Sequence, residues 1–246
     1  MSTAQSSRNQ FLTGLTVENF SLLRSHLVLK DLSAGDVLQR CGERANEVVF
    51  PHSGVAVMRA SLRNGAGPGI ALIGSDECAG GFAAAASAPA TCDCEVLIGG
   101  KASHIGATAF RHALDRSATL RHWASQFDNA LLAQVQQTAV CNAAHSVETR
   151  MCRWLLEVQD RSESERIPLT QGTFAELLGV RRTTVTLVAG QLEAAGAIDC
   201  RRGYMRVIDR SALAHCCCEC YTRLKGDPVR SAPLHDQVLI AAQRAL

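Results

Sequence analysis

The feature that most constrains this chain is a run of about 40 residues in which two helix patterns and a strand pair follow one another closely. The segment "LTQGTFAELLG" predicts a short helix with Thr170 or Thr173 as its N-cap and Gly179 in the turn that follows. A second helix is predicted over residues 181–195, and "AIDCRRGYMRVIDR" then predicts two short strands around an Arg-Arg-Gly turn. Helix, tight turn, helix and basic hairpin in this order indicate a winged helix-turn-helix.

The second helix has two chemically different faces. Val185, Val188 and Leu192 fall on one face, which suits packing on the first helix. The other positions carry arginines and threonines, whose donors can reach phosphate oxygens and base edges of DNA. A solvated arginine pair on an ordinary helix hairpin is the alternative, and the ordered pattern around it weakens that alternative. The residues predicted to contact DNA are Arg181, Arg182, Thr183, Thr184 and Thr186 on the helix and Arg201 and Arg202 in the hairpin.

Charge supports this prediction locally but not globally. The chain has 25 Lys and Arg against 23 Asp and Glu, a net charge of +2 that by itself indicates no acidic partner. Residues 181–210 contain six arginines and three acidic residues, and this local excess is the kind of patch that a phosphate backbone attracts.

The N-terminal half has a different pattern, with short apolar segments broken by Gly, Pro, Asp and Asn. Such spacing predicts an antiparallel β-roll or barrel rather than βαβ units. A long helical segment is predicted over residues 108–145, with a seam of mixed polarity at steps of three and four residues. That seam can pack against its own domain or against a copy of itself.

Residues 142–221 closely resemble the C-terminal domain of the Crp/Fnr family of bacterial transcription regulators, in its atypical branch. The runs that carry the resemblance are "CNAAHSVETRMCRWLLEVQDR", "LTQGTFAELLGVRRTTVTLVAGQLEAAGAI", "RRGYMRVIDRSAL" and "CECY". More loosely, "AGDVL", "VVFPHSGVAV" and "IALIG" are similar to the cyclic-nucleotide-binding-like β-roll of that family.

The resemblance implies an α+β chain with a β-roll over residues 1–107, a dimerisation helix over 108–145, a winged helix-turn-helix over 146–225 and a tail over 226–246. It also implies a homodimer on a palindromic operator in double-stranded DNA, with RNA polymerase as a further candidate partner. The dimer contacts expected along the helix are Leu120, Trp123, Phe127, Leu131 and Thr138.

Position by position, the resemblance assigns different roles on the second helix. Arg182 falls where these regulators place a guanine-reading arginine, and Arg181 and Thr184 fall at phosphate-contacting positions. Thr183 and Leu187 stand where many members have an acidic and a second arginine base reader. Because of these two departures, the usual operator of the family is not expected.

In cyclic-AMP-binding members of the family, a Gly-Glu pair and an Arg-Ser pair hold the ribose and the cyclic phosphate. Here no arginine lies between Arg63 and Arg111. A phosphate without a cation or a dense set of N–H donors is poorly held. We therefore expect a degenerate effector domain that does not bind cyclic AMP.

The 11 cysteines raise a second possibility, a thiol-redox or metal-responsive protein whose winged helix only mediates protein contacts. Cys92 and Cys94 share one face of a predicted strand, with Cys78 as a possible neighbour. The density of the "HCCCECY" segment is typical of metal binding, but its spacing fits no standard zinc module. Because "CECY" belongs to the family resemblance, that resemblance implies a structural role for these cysteines. No metal and no cofactor is predicted.

Other classes of protein find little support in the sequence. The N-terminus lacks the features of a signal peptide, and no apolar run approaches the roughly 18 residues that span a membrane, so a cytoplasmic location without a membrane partner is expected. We find no Ser/His/Asp order, no P-loop and no His-Glu-x-x-His motif. The chain is therefore predicted not to be an enzyme, with no catalytic residues.

Overall fold

The computed structural model describes residues 8–63 and 65–225, and the predicted tail over 226–246 lies outside the described residues. The strands are β1 (Val28–Leu32), β2 (Val37–Gln39), β3 (Glu47–Pro51), β4 (Val55–Leu62), β5 (Gly65–Ile73), β6 (Asp93–Ile98), β7 (Gly100–Gly106), β8 (Arg166–Ile167), β9 (Ile198–Arg201) and β10 (Tyr204–Val207). The helices are α1 (Gln10–Thr13), α2 (Val17–Arg24), α3 (Gly81–Ala86), α4 (Ala107–Arg116), α5 (Ala118–Ala144), α6 (Val147–Ser162), α7 (Gln171–Leu178), α8 (Arg182–Ala194), α9 (Arg210–His215) and α10 (Cys220–Lys225). Of the described helices, none combines the length and apolar character needed to cross a membrane.

The N-terminal half is an antiparallel β-roll, as predicted. Its two sheets have the strand orders β1-β7-β3 and β2-β6-β4-β5. The strands that alternate in the sequence bury one face between the sheets, with Val49, Ala56, Ile73 and Val96 in the shared core. The α+β fold class is confirmed.

The single helix predicted over residues 108–145 is two helices in the structure, α4 and α5, with a break at Ser117. Ser117 has an extended backbone, and its hydroxyl accepts a hydrogen bond from the Leu120 N–H at 3.1 Å. The same hydroxyl donates to Asn19 Oδ1 at 2.7 Å. A side-chain cap that is itself anchored on α2 therefore ends one helix and begins the next.

Most of the residues expected at a dimer interface lie inside the protomer, and this corrects the prediction. Leu120, Trp123 and Phe127 are at most 4% exposed, in a cluster built around Phe11. The Trp123 indole N–H also donates to the Phe11 carbonyl at 3.0 Å. Side chains that are already buried have no further surface to offer a second copy.

Of the two remaining predicted contacts, Thr138 is buried in the protomer and Leu131 is half-buried. Thr138 is 2% exposed, and its hydroxyl accepts a hydrogen bond from the buried guanidinium of Arg153 at 3.3 Å. Leu131 is half-buried beside the β-roll core. The predicted seam is thus the face of α5 that packs on its own domain, one of the two possibilities left open by the sequence.

The C-terminal half packs three helices against a small three-stranded sheet of order β8-β10-β9. Helix α6 supplies the centre of this core with Met151, Trp154, Leu155 and Val158, all fully buried. It runs to Ser162, where Glu163 in the left-handed conformation terminates it.

The two halves are packed directly on each other. Val57 and Leu72 of the β-roll belong to the same core cluster as Trp154. At Gly69 in β5 a Cβ atom would lie 2.7 Å from the indole ring, so only glycine allows this approach. The face of the β-roll therefore fixes the position of α6, on which the helix-turn-helix is built.

A buried ion pair crosses the same boundary. Arg161 Nη2 lies 3.0 Å from Asp76 Oδ2, and the two side chains are 7% and 15% exposed. Asp76 follows β5 of the β-roll, and Arg161 belongs to α6 of the C-terminal half. The ion pair therefore joins the two halves of the chain.

Candidate nucleic-acid interface

Helices α7 and α8 form the predicted helix-turn-helix. The Thr170 hydroxyl accepts a hydrogen bond from the Thr173 N–H at 3.1 Å, which identifies Thr170 as the N-cap of α7. Gly179 ends α7 with φ +65°, a conformation that favours glycine. Two residues later, Arg181 is the N-cap of α8.

Helix α8 buries one face and exposes the other, as its sequence predicts. Val185, Val188 and Leu192 are at most 6% exposed in the core of the C-terminal half. Arg181, Arg182 and Thr183 are exposed, Thr184 is half-buried, and Leu187 is 66% exposed. The structure therefore presents the early polar side chains of α8 together on one surface.

The N-terminus of α8 carries an uncompensated positive potential. No acidic residue lies in its first turn, and the Arg181 side chain makes no capping hydrogen bond. The first N–H groups of a helix lack partners within the helix and form the positive end of its dipole. The exposed guanidinium groups of Arg181 and Arg182 add to this positive charge and do not neutralise it. Such an arrangement suits an anion, and phosphate above all.

Thr186 has a different place from the other predicted contacts. Its hydroxyl lies 2.7 Å from Gln171 Oε1, to which it donates, and 3.1 Å from the Arg182 carbonyl. The side chain is exposed, but its proton is engaged in holding α8 against the start of α7. Its role in any DNA contact is therefore as an acceptor or through its methyl group.

The hairpin of β9 and β10 places two of the predicted arginines at its tip. Arg202 is exposed in the turn, and Arg201 Nε lies 3.0 Å from Asp199 Oδ2. Arg201 is 64% exposed, so this ion pair contributes little to stability and leaves the guanidinium accessible.

Two further arginines on the same small sheet were not among the predicted contacts. Arg166 in β8 and Arg206 in β10 are direct antiparallel partners, and both are exposed. The Arg166 guanidinium stacks on the Tyr204 ring at 3.9 Å. Because like charges directly opposite each other destabilise a sheet, this pair of arginines does not contribute to the stability of the sheet. In the sequence, Arg166 and Arg206 alternate with the apolar residues Ile167 and Met205, which are buried. This alternation is the signal that marks the two arginines as outward-facing.

Arg210, counted in the basic patch of the sequence, faces elsewhere. Its guanidinium donates to Asp160 and to the Tyr221 hydroxyl, on the side of α6 and α10. The exposed basic surface thus consists of the N-terminus of α8 and the three-stranded sheet. Its arginines are Arg166, Arg181, Arg182, Arg201, Arg202 and Arg206.

Comparison with known proteins agrees with this geometry. Residues 149–216 match the family model described as the Crp-like helix-turn-helix domain. The chain carries a Crp-like helix-turn-helix. A search of the curated proteins finds no match.

Solved structures extend the likeness beyond the Crp-like domain to the β-roll and α5. A transcriptional regulator of the crp/fnr family from Eubacterium rectale is 15% identical, with a TM-score of 0.68 over 85% of this chain and 97% of that one. FixK2 from Bradyrhizobium japonicum is 14% identical, with a TM-score of 0.66 over 78% and 98%. The c-di-GMP responsive regulator CLP from Xanthomonas campestris is 17% identical, with a TM-score of 0.63 over 78% and 99%. At these identities the likeness shows the fold, which is that of the Crp/Fnr regulators.

A second candidate site is a cavity of about 380 Å³ between the β-roll and α5. Its walls are largely apolar and include Cys78, Cys92 and Cys94, which the structure brings to one cavity as the sequence suggested. Burial raises the pKa of all three thiols above the ordinary value. Thiols held in the protonated form are poor nucleophiles, which disfavours a redox role for them.

The charged groups at this cavity are acidic. Glu77 and Asp128 belong to its lining, whereas no arginine or lysine does among the described residues. Burial raises the pKa of Asp128 from 3.8 to about 6. A cyclic phosphate would therefore meet carboxyl groups and no cation.

The raised pKa of Asp128 predicts a pH-dependent stability. The folded state holds the Asp128 proton more tightly than the unfolded state, so this stabilising contribution is present below pH 3.8 and is lost as pH rises through about 6. We expect Asp128→Asn to raise the unfolding free energy at pH 7.5 by about 1–3 kcal/mol and to change it little near pH 4. Thermal unfolding across that range, with Asp115→Asn on an exposed position of α4 as control, measures it. An equal gain at both pH values would contradict the prediction.

Proposed function

We propose that the chain is a homodimeric, sequence-specific DNA-binding transcription regulator of the Crp/Fnr type. The observation that carries the proposal is the pair of exposed arginines at the positive N-terminus of α8, within a Crp-like helix-turn-helix. A protein-contact module has no need of so many exposed guanidinium groups around a helix end. RNA polymerase stays a candidate partner by family resemblance, with no residue assigned to it.

Each arginine has its own role in this proposal. Arg182, at the first turn of α8, reads a guanine, because its fork geometry matches the O6 and N7 acceptors. Arg181, Thr184 and the hairpin residues Arg201 and Arg202 contact phosphates and fix the position of α8 in the major groove. Thr183 lies beside the base edges, and Thr186 supports α8 through Gln171.

A second copy is proposed to bind along the outward face of α5. Leu132 and Val140 on this face are 53% and 56% exposed, although the helix is 27 residues long. Exposed residues recur there at steps of three and four, as in the seam of a coiled coil. They are Ser125, Asn129, Leu132, Gln136, Ala139, Val140 and Ala143. Two-fold pairing along this seam relates the two copies of α8 and implies a palindromic operator.

Selection of bound sequences from a random pool of double-stranded DNA tests the proposal. We expect an inverted repeat whose half-sites lie about one helical turn apart, roughly 10 base pairs from centre to centre. A selection that enriches single half-sites would contradict the proposed homodimer. A selection that enriches no sequence at all would contradict specific DNA binding.

The effector domain is proposed not to respond to cyclic AMP, because its cavity offers two carboxyl groups and no cation. CLP is described as c-di-GMP responsive, and the same reasoning argues against that dinucleotide, with its two phosphodiester groups, here. A ligand that binds only the folded state stabilises it by about 2.7 kcal/mol at a hundredfold excess over Kd. We therefore expect no shift in melting temperature with millimolar cyclic AMP or cyclic di-GMP, and operator DNA serves as the positive control. A clear shift with either nucleotide would overturn this assignment.

A thiol-redox or metal-responsive protein is the second candidate function. The buried, protonated thiols of the cavity disfavour its redox form. The metal form has one specific observation in its favour, a group of cysteine and histidine side chains near the end of α5.

A further inference from the structure

Four potential metal ligands meet where α5 ends and α10 begins. Cys141 lies in the last turn of α5, and His145 is its C-cap. Cys220 is the first residue of α10, and Cys218 lies two residues before it. Their ligand atoms all lie within 4.8 Å of one another. The sequence predicts no metal because Cys141 and Cys218 are 77 residues apart, and only the fold joins the two short segments.

Two of the separations between these atoms match the edges of a tetrahedral zinc site. Cys141 Sγ and Cys218 Sγ are 3.6 Å apart, and Cys220 Sγ and His145 Nδ1 are also 3.6 Å apart. With Zn–S of about 2.3 Å and Zn–N of about 2.0–2.1 Å, a tetrahedron has edges of about 3.8 Å between sulfurs and about 3.6 Å from sulfur to nitrogen. A disulfide between Cys141 and Cys218 would instead need sulfurs about 2.05 Å apart.

Neighbouring groups support the ligands in the way that metal sites require. His145 Nε2, on the far side of the ring from Cys220, lies 3.3 Å from Glu219 Oε2. That contact orients the ring and leaves Nδ1 to face the cysteines. Gln137 Nε2 donates a hydrogen bond to Cys220 Sγ at 2.9 Å, a contact that a metal-bound sulfur can also accept. The three cysteines are at most 7% exposed and the His145 side chain is 19% exposed, so most of the site is shielded from solvent.

We propose that Cys141, His145, Cys218 and Cys220 bind one Zn²⁺ ion as a structural Cys₃His site. Four protein ligands leave no open coordination position, so the ion has no catalytic role. Its binding joins the end of α5, the proposed dimer helix, to α10 at the edge of the DNA-binding half. The site revises the sequence-based prediction that the chain binds no metal.

Elemental analysis of the full chain, purified from zinc-supplemented medium, tests the stoichiometry. We expect about one zinc per chain in the wild type and less than about a tenth of that in Cys220→Ser and His145→Ala, because each removes one of four ligands. Cys217→Ala is the matched control, since Cys217 is adjacent in sequence but lies outside the group, and it should keep the metal. A metal-free wild type, iron in place of zinc, or equal loss in Cys217→Ala would overturn the proposal.

A second measurement needs no variant and so does not depend on whether the variants fold. Chelation of the wild type should lower its melting temperature, and Co²⁺ added to the apo protein should give the absorption of a tetrahedral, thiolate-bound ion. Octahedral cobalt absorption, or a melting temperature unchanged by zinc removal, would contradict the site. Both readouts are independent of DNA, so they distinguish failure of this site from failure of the proposed function.

Discussion

Replacing both Leu132 and Val140 with glutamate should yield a monomer that binds operator DNA about 10²–10⁴-fold more weakly than the wild type. The two side chains are more than half exposed in the protomer, so the substitutions leave its own core intact. In a dimer they would place like charges opposite each other along the seam. A monomer reads one half-site, and loss of the second removes the gain in affinity that linked binding gives.

Light scattering and DNA-binding titrations measure the two parts of this prediction. Val17→Glu is the matched control, because Val17 is 82% exposed on α2, away from the seam. It should leave both assembly and affinity unchanged. Phe127→Glu is expected to unfold the chain instead, because Phe127 lies in the protomer core. A double variant that stays dimeric would place the interface on another surface.

Arg182→Ala should weaken binding to the selected operator strongly while retaining most non-specific binding. A bidentate contact with guanine contributes about 1–3 kcal/mol of discrimination, and a dimer makes it twice. We therefore expect about 2–6 kcal/mol of lost specific binding and relaxed preference at one symmetric pair of positions. Arg181→Ala should weaken all sequences to a similar extent, because phosphate contacts carry no base preference.

The comparison of these two variants on operator and scrambled DNA, at several salt concentrations, decides between the roles. Both side chains are exposed at the same helix end, so each is a control for the effect of the other on folding. If the variants behave alike on both DNAs, Arg182 contacts phosphate and the base-reading role is wrong.

The helix-turn-helix could be predicted closely because its signals are local. The threonine cap, the Gly179 turn and the spacing of Val185, Val188 and Leu192 all lie within about two dozen residues of one another. The β-roll was predictable as a class, because its turns and apolar segments follow each other along the chain. Its pairing of β1 with β7 joins distant segments and was not specified by the sequence.

The sequence-based prediction placed the dimer contacts on the face of α5 that packs on its own domain, and this has a physical cause. The helix carries large apolar side chains on both sides, Trp123 and Phe127 inward and Leu132 and Val140 outward. Periodicity identifies both stripes but does not say which one packs on the protomer. The aromatic stripe lies inward because Phe11, from the first described helix, completes a cluster with it.

The proposed metal ligands and the outer arginines were missed for a related reason. Cys141 and Cys220 become neighbours only through the packing of α10 on α5. Arg166 joins the basic surface only because β8 pairs with β10, whose partner residues Ile167 and Met205 are 38 positions apart in the sequence. Neither association can be predicted from the local spacing of residues in the sequence.

The salt dependence of DNA affinity tests the central claim most directly. Besides Arg182, the exposed basic surface has five arginines per chain that are available to phosphates, and they are Arg166, Arg181, Arg201, Arg202 and Arg206. A dimer that uses most of them should show a slope of log K against log salt of about −5 to −9 on its selected operator. A slope near zero, or no affinity for any duplex at low salt, would contradict the account of this chain as a DNA-binding regulator.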